Sequence, residues 1–154
     1  MSGRWVGIAV SGDKLTIVDA TIDGTKPLVI NSDQTWKLQQ GDRAKAYNVI
    51  HQQVVDYLKN HSIDRVVIKA SALSQGGMKK AHLDAAELRG VVTGAAASAT
   101  EVSILAKAVL SRTFGDRKVD EYIADDAFWT AEVAGVPLRA GSREAALLLL
   151  AARK

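Results

Sequence analysis

Five acidic residues, Asp13, Asp19, Asp125, Asp126 and Glu144, are the first candidates for chemistry in this chain. Carboxylates that converge within a few ångströms can hold a hard divalent cation and so activate water against a phosphodiester. Spacing works against most of them. Asp125 and Asp126 are adjacent and point apart on a helix. Asp13 follows Gly12 in a pattern that suits a two-residue hairpin turn, and Asp19 closes a short apolar run, so structural roles account for both. Glu144 lies two residues after Ser142, where an acid suits the positive end of a helix dipole and can equally be a remnant metal ligand. His51, His61 and His82 are scattered without the spacing of a zinc site or a triad. Gly76-Gly77 is followed by no Gly-Lys-Ser/Thr and reads as a hinge within the flexible stretch from Ser74. There is no cysteine, which excludes disulfides, a thiol nucleophile and Cys-ligated zinc.

The elements that must position these residues follow from apolar spacing. The runs Trp5–Ser11 and Leu15–Val18 flank the Gly12-Asp13 turn as two strands, and a third, edge-like strand lies between Lys26 and Leu38. From Asp42, apolar residues at Ala46, Val49, Ile50, Val54, Tyr57 and Leu58 give an amphipathic helix capped by Asp42 and ending near Asn60. Val66-Val67-Ile68 lacks alternation, as expected of a strand buried on both faces. A second helix spans about Lys80–Ser98, and Glu101–Leu105 reads as a fifth strand. Helices are expected at Ala106–Leu110, Val119–Val133 and Ser142–Arg153, with a hinge at Thr113–Lys118 and a loop at Gly135–Gly141. With 154 residues, 47% of them apolar, residues 1–154 form one domain with no repeat or linker. Three strands in meander order, then alternating helices and strands, is the order of the RNase H-like fold: α/β, a mixed five-stranded sheet with helices on both faces.

Specific blocks point further. VGIAVSGDKLTIVDA, IDRVVIKAS, AAELRGVVTGAAAS, TEVSILAKAVLSRTFGDRK and GSREAALLLLAA together resemble, in order and spacing, the RuvC-like Holliday-junction resolvases, over nearly the whole chain. That resemblance implies Gly-Ile-Asp in the first strand, a Glu ending the fourth, Arg-Gly in the next helix and two acids opening the last helix. Here Gly7-Ile8 is followed by Ala9, Ile68 by Lys69, Arg89-Gly90 is kept, and the last pair becomes Gly141 and Glu144. Three of four implied acids are missing, and the ammonium of Lys69 repels a cation from a position meant for a carboxylate. A degenerate relative that does not cleave by the family mechanism is the expectation, with no cofactor and no metal site, magnesium entering only if residual nuclease activity survives.

Three readings of function remain open. In this fold Lys69, Lys79, Lys80, Lys107, Arg112, Arg117 and Lys118 would surround the carboxyl ends of the strands and bind DNA or RNA through phosphates without cutting. Asp116, Asp120, Glu121, Asp125 and Asp126 dilute that charge, and the net charge of +3 decides nothing. Alternatively, Gly90, Gly94 and Ser98 repeat on one helical face and permit close approach of a partner, giving a protein-interaction module or a homodimer. The third reading is a metal-dependent nuclease with relocated acids. Met1–Arg4 lacks the apolar run of a signal peptide and Ala145–Ala152 is too short to span a bilayer, so a cytoplasmic protein without membrane association is expected.

Overall fold

Residues 2–73, 76–115 and 117–154 are described in a computed structural model. Met1, the expected flexible residues Ser74 and Gln75, and Asp116 lie outside them. Strands β1 (Ser2–Ser11), β2 (Lys14–Asp23) and β3 (Leu28–Lys37) form the antiparallel meander, and Gly12 adopts φ +56° in the tight turn, a conformation open to glycine without cost. Helix α1 (Arg43–Asn60) starts at Asp42, whose carboxylate accepts the Lys45 N–H at 3.2 Å. Then follow β4 (Arg65–Lys69), α2 (Lys80–Ala99) and β5 (Glu101–Leu105). The sheet runs β5-β4-β1-β2-β3-β6, with β4 parallel to both β1 and β5.

Three corrections concern the second half. The sheet has six strands rather than five, because Val133–Gly135 forms β6 parallel to β3 and covers part of the expected edge. The expected helix Val119–Val133 is broken into α4 (Val119–Ile123) and α5 (Asp126–Glu132). Asp125 causes the break by capping a new helix, its carboxylate accepting the Phe128 N–H at 3.1 Å. Helix α3 runs from Lys107 to Phe114, so Thr113 and Phe114 belong to a helix, and the turn falls at Gly115 with φ +82°. Helix α6 (Arg143–Ala152) closes the chain after a 3-10 turn at Ala140–Ser142.

Alternation along the strands sorts the core into two layers. Val6, Ile8, Val10, Leu15, Ile17, Val66 and Ile68 face α1 and α2, while Trp5, Val18, Ala20, Ile22, Val67 and β3's Leu28 and Ile30 face α3–α6. Helix α6 is buried along Ala145–Ala151 and lies directly over β1. Gly7 makes that possible, since a Cβ there would fall inside contact distance of the Ala145 carbonyl. Among the described residues no helix is long and apolar enough to cross a membrane.

Candidate functional site

Strand register builds the site. Ala9 pairs with Thr16, Thr16 with Thr35, and Lys69 with Leu105. Ile8 pairs with Ile68, so Ala9 and Lys69 are the next residues of adjacent parallel strands. One residue from each of five strands thus forms a row, Leu105, Lys69, Ala9, Thr16, Thr35. Ala9 and Leu105 pack against the α6 layer, so the row looks toward the first turn of α6, which Gly7, two residues before Ala9, holds close. There Lys69 Nζ donates to Glu144 Oε2 at 3.0 Å, with about a quarter of each side chain exposed, 24% and 27%.

This pair bears on the metal that the resemblance implies. The magnesium ions implied by the resemblance need several carboxylate oxygens at this point. Ala9 supplies no donor, Gly141 none, and the Lys69 ammonium has no lone pair and already occupies Glu144. Among the described residues no three His, Cys, Asp or Glu side chains converge on a common point. The residues present do not fit a two-metal site.

The remaining acids are committed elsewhere. Asp13 pairs with Arg43 at 2.9 Å, and Asp125, besides capping α5, pairs with Arg117 at 2.9 Å. Asp126 pairs with Arg143 at 2.7 Å. Asp19, expected at a strand end, lies mid-strand and fully buried on the α1 face. It accepts Arg4 Nε and Nη2, each at 2.8 Å, Tyr57 Oη at 2.6 Å and Asn31 Nδ2 at 3.2 Å. Burial alone would raise its pKa, but these donors outweigh it and hold the carboxyl below its ordinary value. Burial and the Asp19 carboxylate push the Tyr57 hydroxyl up to about 12.

The sequence reading missed Asp33. Its carboxylate accepts Arg139 Nη2 at 2.8 Å, the Arg139 backbone N–H at 2.9 Å and the Ser142 hydroxyl at 2.5 Å. That is why Ser142, the residue before α6, makes no side-chain capping bond. Desolvation again opposes and hydrogen bonding prevails, so Asp33 too lies below its ordinary pKa. Its only mark in the sequence is an acid inside the polar stretch Asn31–Thr35.

The seven basic candidates separate into groups. Lys69 faces Glu144, Lys80 pairs with Asp84 at 2.7 Å, Lys107 with Asp120 at 3.3 Å, and Arg117 with Asp125 while lying over the Tyr122 ring. Lys79, Arg112 and Lys118 are exposed and make no ion pair among the described residues. Arg112, Arg117 and Lys118 converge on a shallow groove of about 430 Å³ beside Gly115. Lys69 instead lines a larger cleft, about 600 Å³, between the β1–β2 turn, the end of β4 and the start of α2. Arg89 crosses that cleft, donating to Ser71 Oγ and to the Val10 carbonyl at 3.2 Å, and its burial lowers its pKa. On α2, Gly90, Gly94 and Ser98 are exposed, and a Cβ at either glycine would meet nothing within 4 Å.

No family model and no curated protein matches this sequence. Solved structures do. The Thermus thermophilus RuvC structure superposes with a TM-score of 0.71 at 14% identity, over 96% of this chain and 92% of that one. T. thermophilus RuvC in complex with a Holliday junction substrate gives 0.68 at 14% identity, over 96% and 91%. The yeast mitochondrial Holliday junction resolvase gives 0.65 at 9% identity, over 98% and 79%. With the strand order and the two helical layers, these matches show that the chain has the RuvC-like form of the RNase H-like fold.

Proposed function

We propose that this chain is a RuvC-like module that binds nucleic acid without cleaving it. The Lys69–Glu144 pair carries the reading: at the point where a nuclease of this fold gathers carboxylates, this chain holds a cation and its counter-ion 3.0 Å apart. One neighbour of this fold is a Holliday junction resolvase and another was solved in complex with a Holliday junction substrate, which makes branched DNA the first ligand to test. Phosphate contacts would come from Lys79, Arg112 and Lys118, which make no ion pair among the described residues, with Lys69, Lys80, Lys107 and Arg117 available through exchange of their carboxylate partners. Relocated catalytic acids gain no support, because Asp13, Asp19, Asp33, Asp125 and Asp126 are each held by an arginine.

The test is anisotropy of a labelled four-way junction and of a single strand across a salt series, alongside a cleavage assay in magnesium and in manganese. Binding should weaken steeply with salt, with no product formed. A Lys79→Ala, Arg112→Ala, Lys118→Ala variant should lose about two to three units of the log–log slope. Absence of binding at low salt, or an unchanged slope in the variant, overturns the reading. Turnover abolished by Glu144→Gln would show instead that the centre is alive. The open face of α2 at Gly90, Gly94 and Ser98 favours self-association as a second reading. Sedimentation as a dimer that Gly94→Leu dissociates would support it, and a monomer at high concentration would end it.

A further inference from the structure

On the β2–β3 side of the Lys69–Glu144 pair, the row of strand positions runs on into a second recess. Lys14, Thr16, Thr35, Arg139, Gly141 and Ser142 line a pocket of about 330 Å³. Thr16 and Thr35 are cross-strand partners and form one wall. Arg139 is held in place rather than left swinging: Nε and Nη2 donate to the Asp33 carboxylate at 3.1 and 2.8 Å, and Nη2 also donates to Thr35 Oγ1 at 2.9 Å. Asp33 is 3% exposed and takes the Ser142 hydroxyl and the Arg139 backbone N–H as well, so its oxygens serve the scaffold and not the pocket.

What remains uncommitted is all of one kind. Arg139 Nη1 has no partner among the described residues, and Thr35, which accepts from Arg139, keeps its own proton to donate. The Thr16 hydroxyl and the Lys14 ammonium likewise have no partner among the described residues, and Lys37 stands opposite Lys14 in the ladder. Among the described residues the acids Asp13, Asp33 and Glu144 are each balanced, by Arg43, Arg139 and Lys69. Net positive charge from Lys14 therefore combines with hydroxyl and guanidinium donors in a fixed frame. Such a set suits an anion with several oxygens, and charge-assisted bonds from a pre-held guanidinium are the strong ones.

We propose that this pocket binds a phosphate group, as a monoester or within a phosphodiester, beside the Lys69–Glu144 pair. The inference deepens the nucleic-acid reading and depends on it only for the natural source of the phosphate. The test is an amide chemical-shift titration of the full chain with inorganic phosphate, paired with anisotropy of a labelled DNA strand. Phosphate should move the amides of Thr16, Thr35 and Gly141. Lys14→Gln combined with Thr16→Val should weaken that binding about tenfold, while Thr16→Ser alone should keep it. If the double variant also weakens DNA binding, the phosphate belongs to a nucleic-acid backbone; if DNA binding is unchanged, the pocket serves a free phosphate ester. No shift at these amides with tens of millimolar phosphate overturns the pocket, even where DNA still binds through Lys79, Arg112 and Lys118. Shifts at the pocket in a protein that ignores DNA would instead overturn the nucleic-acid reading and leave the pocket standing.

Discussion

Asp19 and Glu144 both face a cation across strands or layers of one sheet, yet their surroundings differ in every respect that matters. Asp19 is fully buried on the α1 face and takes hydrogen bonds from Arg4, Tyr57 and Asn31. Glu144, on the α6 face, has Lys69 as its single side-chain donor among the described residues and remains partly open to solvent. A buried charge is tolerated only when its oxygens are saturated with donors, so the first pair is cohesive and rigid. A pair that is about a quarter exposed and has one hydrogen bond is worth less and can exchange partners. The contrast separates an ion pair that holds the fold together from one that stands where a ligand can approach.

The largest expected effect comes from truncating the cohesive pair. Asp19→Ala should cost about 3–5 kcal/mol in urea unfolding, because Arg4 and the Tyr57 hydroxyl lose their shared acceptor. A loss below about 1 kcal/mol would dissolve the contrast. Acid titration probes the same carboxylate without removing it. Asp19 and Asp33 have pKa values depressed by folding, so their stabilisation is present above the unfolded value of 3.8 and is lost as pH falls through the folded ones. Stability should therefore decline below about pH 4, and Asp19→Asn should flatten the decline; an acid limb identical in the variant would assign it to other groups.

A smaller loss is expected from Gly7→Ala, where the new methyl meets the Ala145 carbonyl and must push α6 off β1. Overpacking of this kind costs about 1–3 kcal/mol in thermal unfolding, and a neutral result would show that α6 shifts freely. Smallest of all is Lys69→Met, expected within about 1 kcal/mol of wild type by denaturation. A loss as large as that of Asp19→Ala would make the two pairs equivalent.

Local signals carried the sequence reading a long way. Asp42 at the start of α1, the limits of β5 at Glu101 and Leu105, and α2 from Lys80 are stated by residues within a turn of each boundary. Elements defined by a distant backbone were not legible. Val133–Gly135 continues an apolar run that suits a helix, and only its ladder to Leu28–Ile30 makes it a strand. The site divides in the same way. Missing acids at Ala9 and Lys69 are visible by position, whereas the union of Lys69 with Glu144 spans 75 residues and that of Asp33 with Arg139 spans 106, distances that no window of sequence conveys.

β6 also bears on how the molecule avoids its own copies. An unpaired strand margin invites another chain to add to it, and β3 would present ten residues of such margin. β6 pairs only with Leu28–Ile30, the apolar part of that margin. Beyond it, Asn31–Lys37 continue the strand with polar residues apart from Trp36, which packs against the α1 layer, and Asn31 interrupts the ladder as a bulge between the Asp19–Ser32 and Ala20–Ile30 pairs. Polar side chains and a bulge both discourage intermolecular strand addition. Three residues of added strand thus shield the stretch of β3 most prone to recruit another sheet.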